Sequence, residues 1–177
     1  GLVVVVLVFS GSLAGEISQG TLINLVTKGL SRQAVICAKY GAMLALWTVS
    51  IAAAFVVTWG YTIYLFPDDK SHNLFLAVFC LWLFGAFLLA QLLFSAALVS
   101  SSYGSLILTG GALVFLTILQ IFPRLRPWNP LLLAAQNIEL VANALEPQAL
   151  GRAAGTAVFA ACLLLTAAVA LFRKRQL

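Results

Sequence analysis

Three long stretches of this chain contain no Asp, Glu, Lys, Arg or His, and they cover residues 40–66, 73–122 and 153–172. A helix of about 20 apolar residues is long enough to cross the hydrocarbon core of a bilayer. Only 8% of all residues are charged and 63% are hydrophobic, which excludes an ordinary water-soluble domain. The sequence therefore predicts an all-α fold, a polytopic transmembrane helical bundle.

Turn-forming residues divide these stretches into separate helices. Pro67-Asp68-Asp69 ends the first helix, and the serine-rich turn at residues 100–105 divides the long middle stretch. The resulting boundaries predict four complete spans, at residues 40–65, 74–98, 103–122 and 152–172. Residues 1–14 are apolar but too few to cross alone, so we expect them to be the end of an earlier span. About five spans are thus predicted in one transmembrane domain, with the first incomplete.

The distribution of Lys and Arg predicts which side of the membrane each connection faces. Four spans separate residues 15–39 from the tail at residues 173–177, so both segments must lie on the same side. That side carries six basic residues: Lys28, Arg32, Lys39, Arg173, Lys174 and Arg175. The opposite side carries four: Lys70, Arg124, Arg126 and Arg152. The positive-inside rule then places the C-terminus in the cytoplasm and the chain in the cell membrane.

Residues 123–151 are too polar for a span, but their pattern is typical of an amphipathic helix. Asn129 can cap its start, and Pro130 suits the first helical position. Its apolar residues gather on one face: Leu131, Ala134, Ala135, Ile138, Val141, Ala142 and Leu145. Two arrangements fit this pattern. The helix lies on the outer membrane surface, or it is a re-entrant segment packed between spans.

The predicted spans offer no energy source of their own. Ion-coupled carriers use ionisable side chains inside the membrane, and the central spans have none. Gln91 is their strongest hydrogen-bonding side chain, and we expect it to bond to a neighbouring helix. The chain also lacks a GxxxxGK[ST] phosphate-binding loop. Energy for uphill transport would therefore have to come from a partner chain, while a channel, a carrier acting alone and a membrane scaffold remain alternatives.

Enzymatic and nucleic-acid-binding functions are disfavoured by the same sequence. It contains one histidine, His72, and no HExxH, GxSxG or paired intramembrane aspartate motif. The basic residues are scattered and form no continuous stripe, which argues against nucleic acid as a partner. We therefore predict no catalytic residue, no metal site and no resident cofactor.

Residues 15–28 read as a short amphipathic helix that directly follows a span. Leu22, Leu25 and Val26 share one face, while Thr27 and Lys28 lie away from it. After a tight elbow at residues 29–31, Ser31 can cap a second helix that begins at Arg32 and continues past Lys39 into the next span.

This region resembles the ABC type-2 transporter permease family, whose members carry a pattern like E…GTL..L….SR..I..K between two spans. The matching residues here are Glu16, Gly20, Thr21, Leu22, Leu25, Ser31, Arg32, Ile36 and Lys39. Members often have Pro before the Ser-Arg pair, where this chain has Gly29 and Leu30. The later spans, the outer insertion and the basic tail are also similar to the family.

The resemblance implies a division of labour between subunits. It implies that the segment around residues 15–39 docks on a separate cytoplasmic ATP-binding-cassette ATPase, which would hold the ATP and Mg²⁺. It implies that this chain pairs with a second permease copy or paralogue in the lipid bilayer, and that the cargo leaves the cytoplasm. The residues expected to couple to the ATPase are Glu16, Gly20, Thr21, Leu22, Leu25, Val26, Lys28, Ser31 and Arg32.

Overall fold

A computed structural model describes residues 32–65, 74–99, 101–135 and 148–174. These residues form helices and turns and no strand, so the predicted all-α class is confirmed. The five α-helices are α1 (Arg32–Leu65), α2 (Leu74–Leu98), α3 (Ser102–Leu119), α4 (Leu132–Ala135) and α5 (Gln148–Lys174). A 3-10 turn, Arg126–Trp128, lies between α3 and α4.

Helix α1 is described from Arg32 onwards and is continuous for 34 residues, as far as Leu65. At 1.5 Å per residue its length is about 51 Å, which exceeds the ~30 Å apolar core of a bilayer. Lys39 and the predicted span at residues 40–65 therefore belong to one helix. Part of α1 must extend beyond the hydrocarbon region.

Helix α2 lies at the centre of the bundle. It packs against α1, α3, α4 and α5, and most of its residues are buried. By contrast, most residues of α1 and α5 are not buried within the described part of the chain. An exposed apolar surface of this extent would be unstable in water but is the ordinary outer surface of a helix bundle in lipid.

Three helical segments of the described chain are long and apolar enough to cross a membrane: Ile36–Leu65, Leu74–Leu98 and Leu150–Leu171. Helix α3 is shorter, with 18 residues and a length of about 27 Å. It ends three residues before the predicted end of that span, because Pro123 disfavours helical geometry at the preceding residue. The chain there turns through i→i−3 hydrogen bonds from Ile121 to Ile118 and from Phe122 to Leu119.

Helices α2 and α3 form a hairpin joined at residues 99–101. A Cβ atom at Gly104 would collide with the Val99 side chain, so glycine permits the close approach of the chain as α3 begins. Deeper in the hairpin, Ser95, Ser105 and Thr109 are all buried. Small polar residues at such a contact allow two membrane helices to pack closely.

Candidate functional site

The residues predicted to couple to an ATPase lie almost entirely outside the described part of the chain. Eight of the nine, between Glu16 and Ser31, fall outside the described residues, and only the backbone of Arg32 is described, within α1. The structure nevertheless shows which helix α1 mainly packs against, namely α2. The contacts between the two helices determine how a movement of the N-terminal end of α1 would affect the rest of the bundle.

A polar seam, which we define as Tyr40, Trp47 and Thr48 of α1 with Trp82 and Ala86 of α2, joins the two helices. The Tyr40 hydroxyl donates to the Ala86 carbonyl oxygen at 3.1 Å, and the Trp47 indole N–H donates to the Trp82 carbonyl oxygen at 3.1 Å. The Trp82 indole N–H in turn donates to the Thr48 hydroxyl at 2.9 Å. Unpaired donors are costly in a low-dielectric environment, so these bonds hold α1 and α2 in one register.

The seam has an antiparallel arrangement and an apolar lining. Towards the opposite end of the two helices from Tyr40, the rings of Phe55 and Phe75 lie 5.5 Å apart. Ile36, Met43 and Trp47 are buried in a cluster with Leu89, Leu92 and Leu93 of α2. Together with the partly buried Tyr40, the α1 residues recur every three to four positions, which is the spacing of one helix face. Apolar packing and hydrogen bonding therefore act along the same face of α1.

Gly85 makes the closest part of this contact possible. A Cβ atom at this position would overlap the Trp47 indole ring. The absent side chain lets the indole lie against the α2 backbone, where its N–H can reach the Trp82 carbonyl oxygen. The register of the seam thus depends on one small residue in α2.

A second polar contact lies between α2 and α3. The Thr109 hydroxyl is 2.8 Å from the Ser105 carbonyl oxygen and 3.1 Å from the Ser95 hydroxyl. A hydroxyl has one proton but can also accept, so Thr109 can donate to the carbonyl and accept from Ser95. This arrangement links the two helices of the hairpin without introducing a charge into the membrane.

Helices α2 and α5 pack through small residues. Ala153 and Ala157 of α5 are fully buried in a cluster with Cys80, Leu83 and Phe84 of α2. Alanine brings the two backbones close together, so the larger α2 side chains fill the space on either side. The long α2–α5 contact is therefore formed mainly by dispersion forces and close packing.

The start of the outer insertion is packed into the bundle. Asn129 is buried; its amide donates to the Leu116 carbonyl oxygen at 2.6 Å, and its side-chain oxygen accepts from the Leu131 backbone N–H at 3.0 Å. Asn129 therefore caps this turn, as its position before Pro130 predicts. Leu132 and Leu133 are buried against α2 and α5.

The first turn of this insertion differs from the predicted apolar face. Leu131 and Ala134 pack on the core as expected, but Ala135 is exposed and Leu132 and Leu133 are the most buried residues. The difference arises because α4 contacts two helices, α2 and α5, rather than a single flat surface. Ile138, Val141 and Leu145 lie outside the described residues, and their placement stays a prediction.

Helix α5 holds the connection that precedes Asn129. The Thr156 hydroxyl donates to the Trp128 carbonyl oxygen at 2.7 Å. The guanidinium carbon of Arg152 lies 5.9 Å from the centre of the Trp128 ring, within the range of a cation–π contact. The 3-10 turn is therefore fixed to the first turns of α5.

The sequence predicts that Gln91, the strongest hydrogen-bonding side chain of the central spans, bonds to a neighbouring helix. Gln91 is partly buried, whereas the described cross-helix hydrogen bonds involve mainly hydroxyl, indole and amide groups elsewhere: Tyr40, Trp47, Trp82, Thr109, Asn129 and Thr156. From the sequence alone, an aromatic residue in an apolar helix is interpreted as a lipid-facing or core residue, and its hydrogen-bonding role is not visible. Only the recurrence of Tyr40 and Trp47 seven residues apart could have indicated a shared face.

Within the described ranges, no three His, Cys, Asp or Glu side chains come together as a group that could hold a metal ion.

A comparison with protein families gave a match to the family described as "ABC-2 family transporter protein", over residues 2–172. Comparisons with curated proteins and with solved structures gave no match.

Proposed function

This chain belongs to the ABC-2 family of transporter proteins, and on that premise we propose that it is the permease subunit of an exporter driven by a separate cytoplasmic ATPase. The family match over residues 2–172 carries the proposal, since it includes both the predicted coupling segment and every described helix. A multi-pass membrane permease of an ABC transporter follows from the family itself. Export, the partner ATPase and a cytoplasmic C-terminus are the parts that we propose.

The charges of the described helices support an external energy source. The residues that the structure describes include no Asp or Glu, so these helices contain no carboxylate that could bind a proton or a sodium ion. A carrier that exploits an ion gradient needs such a group or an equivalent cation site. Energy from ATP hydrolysis in another subunit requires neither.

The polar seam supports a mechanical role for α1. Helix α1 includes Arg32, the last of the proposed coupling residues, and is a single helix from there to Leu65. Its bonds to α2 from Tyr40 and Trp47 resist sliding of one helix along the other. A displacement of the start of α1 would therefore move α2 as well, and α2 contacts all the other described helices.

We also propose that two permeases, either two copies or this chain with a paralogue, form the pathway. The outward faces of α1, α3 and α5 carry large exposed apolar residues, including Tyr64, Ile107 and Phe159. Part of this surface is available to a second permease and the remainder to lipid. A chemical cross-linking series across these three faces would identify the face that pairs.

Co-purification tests the proposal directly. The full chain, tagged and extracted with mild detergent from its native membrane, should bring down an ATP-binding-cassette ATPase in stoichiometric amount. ATP turnover by that ATPase should change several-fold when this chain is omitted from the reconstituted complex. If no ATPase co-purifies and the chain alone conducts a solute in liposomes, the channel or carrier alternative is correct. If neither occurs, the scaffold alternative is correct.

A further inference from the structure

The connection between α3 and α4 combines exposed apolar side chains with exposed positive charges. Its exposed hydrophobic residues are Ile121, Phe122, Leu125 and Trp128. Arg124 and Arg126 lie among them in the sequence and are also exposed. A segment that is both apolar and cationic suits the boundary between hydrocarbon and headgroups, where each kind of group meets its preferred surroundings.

A third arginine reaches the same place from α5. Arg152 is exposed, and its guanidinium carbon lies 5.9 Å from the centre of the Trp128 ring. The 3-10 turn that contains Arg126 and Trp128 packs directly against α5. Arg126 and Arg152 thus belong to two contacting elements, and Arg124 lies two residues before Arg126 in the same connection.

The described part of the protein supplies no anion to balance these charges. It contains no Asp or Glu side chain, and an arginine stays protonated at any physiological pH. A guanidinium group pairs readily with a phosphate through two parallel hydrogen bonds. Glu139 and Glu146 lie outside the described residues and are the alternative counter-ions within the chain.

Hydrogen bonds fix this connection to α5 and to the last turn of α3. Trp128 accepts from Thr156 at 2.7 Å, and Asn129 donates to Leu116 in the last turn of α3 at 2.6 Å. Helix α3 ends at Leu119, so Arg124 and Arg126 follow within seven residues of the end of an apolar helix. The level at which an apolar helix ends is the level of lipid headgroups.

We propose that Arg124, Arg126 and Arg152, together with Trp128, bind the phosphate of an anionic phospholipid. The acyl chains of that lipid lie against the apolar residues of the same connection, Ile121, Phe122 and Leu125. The assignment depends on the surface chemistry of this chain alone, and it holds whether or not an ATPase drives the transporter.

Site-specific photo-cross-linking tests this assignment. The photoreactive amino acid p-benzoylphenylalanine, introduced at Leu125 of the full chain, reports which lipid lies beside the connection. In nanodiscs with equal amounts of radiolabelled phosphatidylglycerol and phosphatidylcholine, phosphatidylglycerol should be labelled about fivefold more. The same probe at Val114, an exposed residue of α3, should label both lipids equally because it meets acyl chains only.

Charge variants identify the source of the selectivity. The triple change Arg124→Gln, Arg126→Gln and Arg152→Gln should abolish the preference, and Arg→Lys at the same three positions should retain most of it. The matched control, Arg173→Gln, Lys174→Gln and Arg175→Gln, removes three charges from the tail and should leave the preference unchanged. Equal labelling of both lipids at Leu125 would overturn the proposal, as would a preference that survives the Gln substitutions or disappears in the tail control. Removal of the preference by excess soluble glycerol phosphate would instead assign the site to a free anion.

Discussion

The indole N–H of Trp47 reaches the carbonyl oxygen of Trp82, at 3.1 Å, across the space that Gly85 leaves empty. Helix α1 therefore approaches α2 more closely than any residue with a Cβ atom would permit. The same contact places the Trp82 indole where it can donate to Thr48. One glycine thus controls two cross-helix hydrogen bonds.

Substitution of Gly85 by Ala should destabilise the bundle by about 1–3 kcal/mol, because the added methyl group overlaps the Trp47 ring and forces the helices apart. Thermal unfolding of the purified protein in detergent measures the effect. Gly60→Ala is the control, since a Cβ at Gly60 in α1 meets no atom within 4 Å. We expect Gly60→Ala to be neutral or slightly stabilising. Equal stability of the two variants would show that the Trp47 contact does not limit helix approach.

Replacement of Asn129 by Ala should cost about 2 kcal/mol, because it removes a helix cap and leaves the partly buried Leu116 carbonyl without its side-chain donor. The shift in unfolding temperature gives the magnitude. Thr117→Val provides the comparison, since the exposed Thr117 hydroxyl bonds only within its own helix, to the Leu113 carbonyl. A larger effect at Thr117 than at Asn129 would contradict the anchoring role of Asn129.

Single cysteines at Ser71 and Gln176 should react with a membrane-impermeant reagent from opposite sides of intact cells. Three predicted spans separate these residues, and an odd number of crossings changes the side. The native Cys37 and Cys162 are exposed and Cys80 is buried, so all three must first be replaced. Labelling of both positions from the same side would contradict the four-span prediction.

The coupling hypothesis predicts that Leu25→Asp weakens binding of the ATPase by roughly 2 kcal/mol or more, as loss of a buried interface anchor does. Insertion of the spans should be unaffected because the residue lies outside them. Glu16 and Arg32 are expected to orient the same helix at its two ends. A pull-down combined with ATP turnover measures the effect, and Thr27→Ala on the polar face should behave like the unmodified chain. Full binding and stimulation by Leu25→Asp would remove this segment from the coupling role.

For the outer insertion, Ile138→Asp should impair assembly or transport, because a buried carboxylate without a partner is costly. Asn143→Asp, on the predicted polar face, should have little effect. Yield of assembled complex and transport rate compare the two. Equal tolerance of both changes would indicate that residues 136–147 are a loose external loop, which would exclude a role in closing the exit.

The long uncharged stretches were sufficient to predict the fold class. Inside a membrane the backbone N–H and C=O groups must form hydrogen bonds within the protein, and an α-helix pairs them within one segment. The predicted spans at residues 40–65 and 74–98 also lie within α1 and α2. The premature end of α3 was harder to predict, since its last three expected residues are apolar and only Pro123 indicates the turn. Hydropathy records whether a residue prefers lipid, but not whether the helix continues.

Little of the contact network could be predicted from the sequence. Trp47 and Gly85 are 38 positions apart, and no local pattern pairs an indole with a missing side chain on another helix. The identity of the central helix was equally hidden, because α1, α2 and α5 are all apolar enough to span a membrane. Burial of α2 depends on how five helices pack, which is a tertiary property. The capping role of Asn129 was predictable because it depends on its immediate neighbours.

The enclosed position of α2 also determines which positions of this sequence can accept substitutions during evolution. Where the outward faces of α1, α3 and α5 meet lipid, any side chain of similar hydrophobicity is accepted, so Leu, Ile, Val and Phe can replace one another there. Along α2 from Leu83 to Ala97, nearly every side chain is surrounded by protein, and a replacement must match volume and shape. A saturation mutagenesis map should therefore show tolerance in stripes on the peripheral helices and intolerance on almost every side of α2.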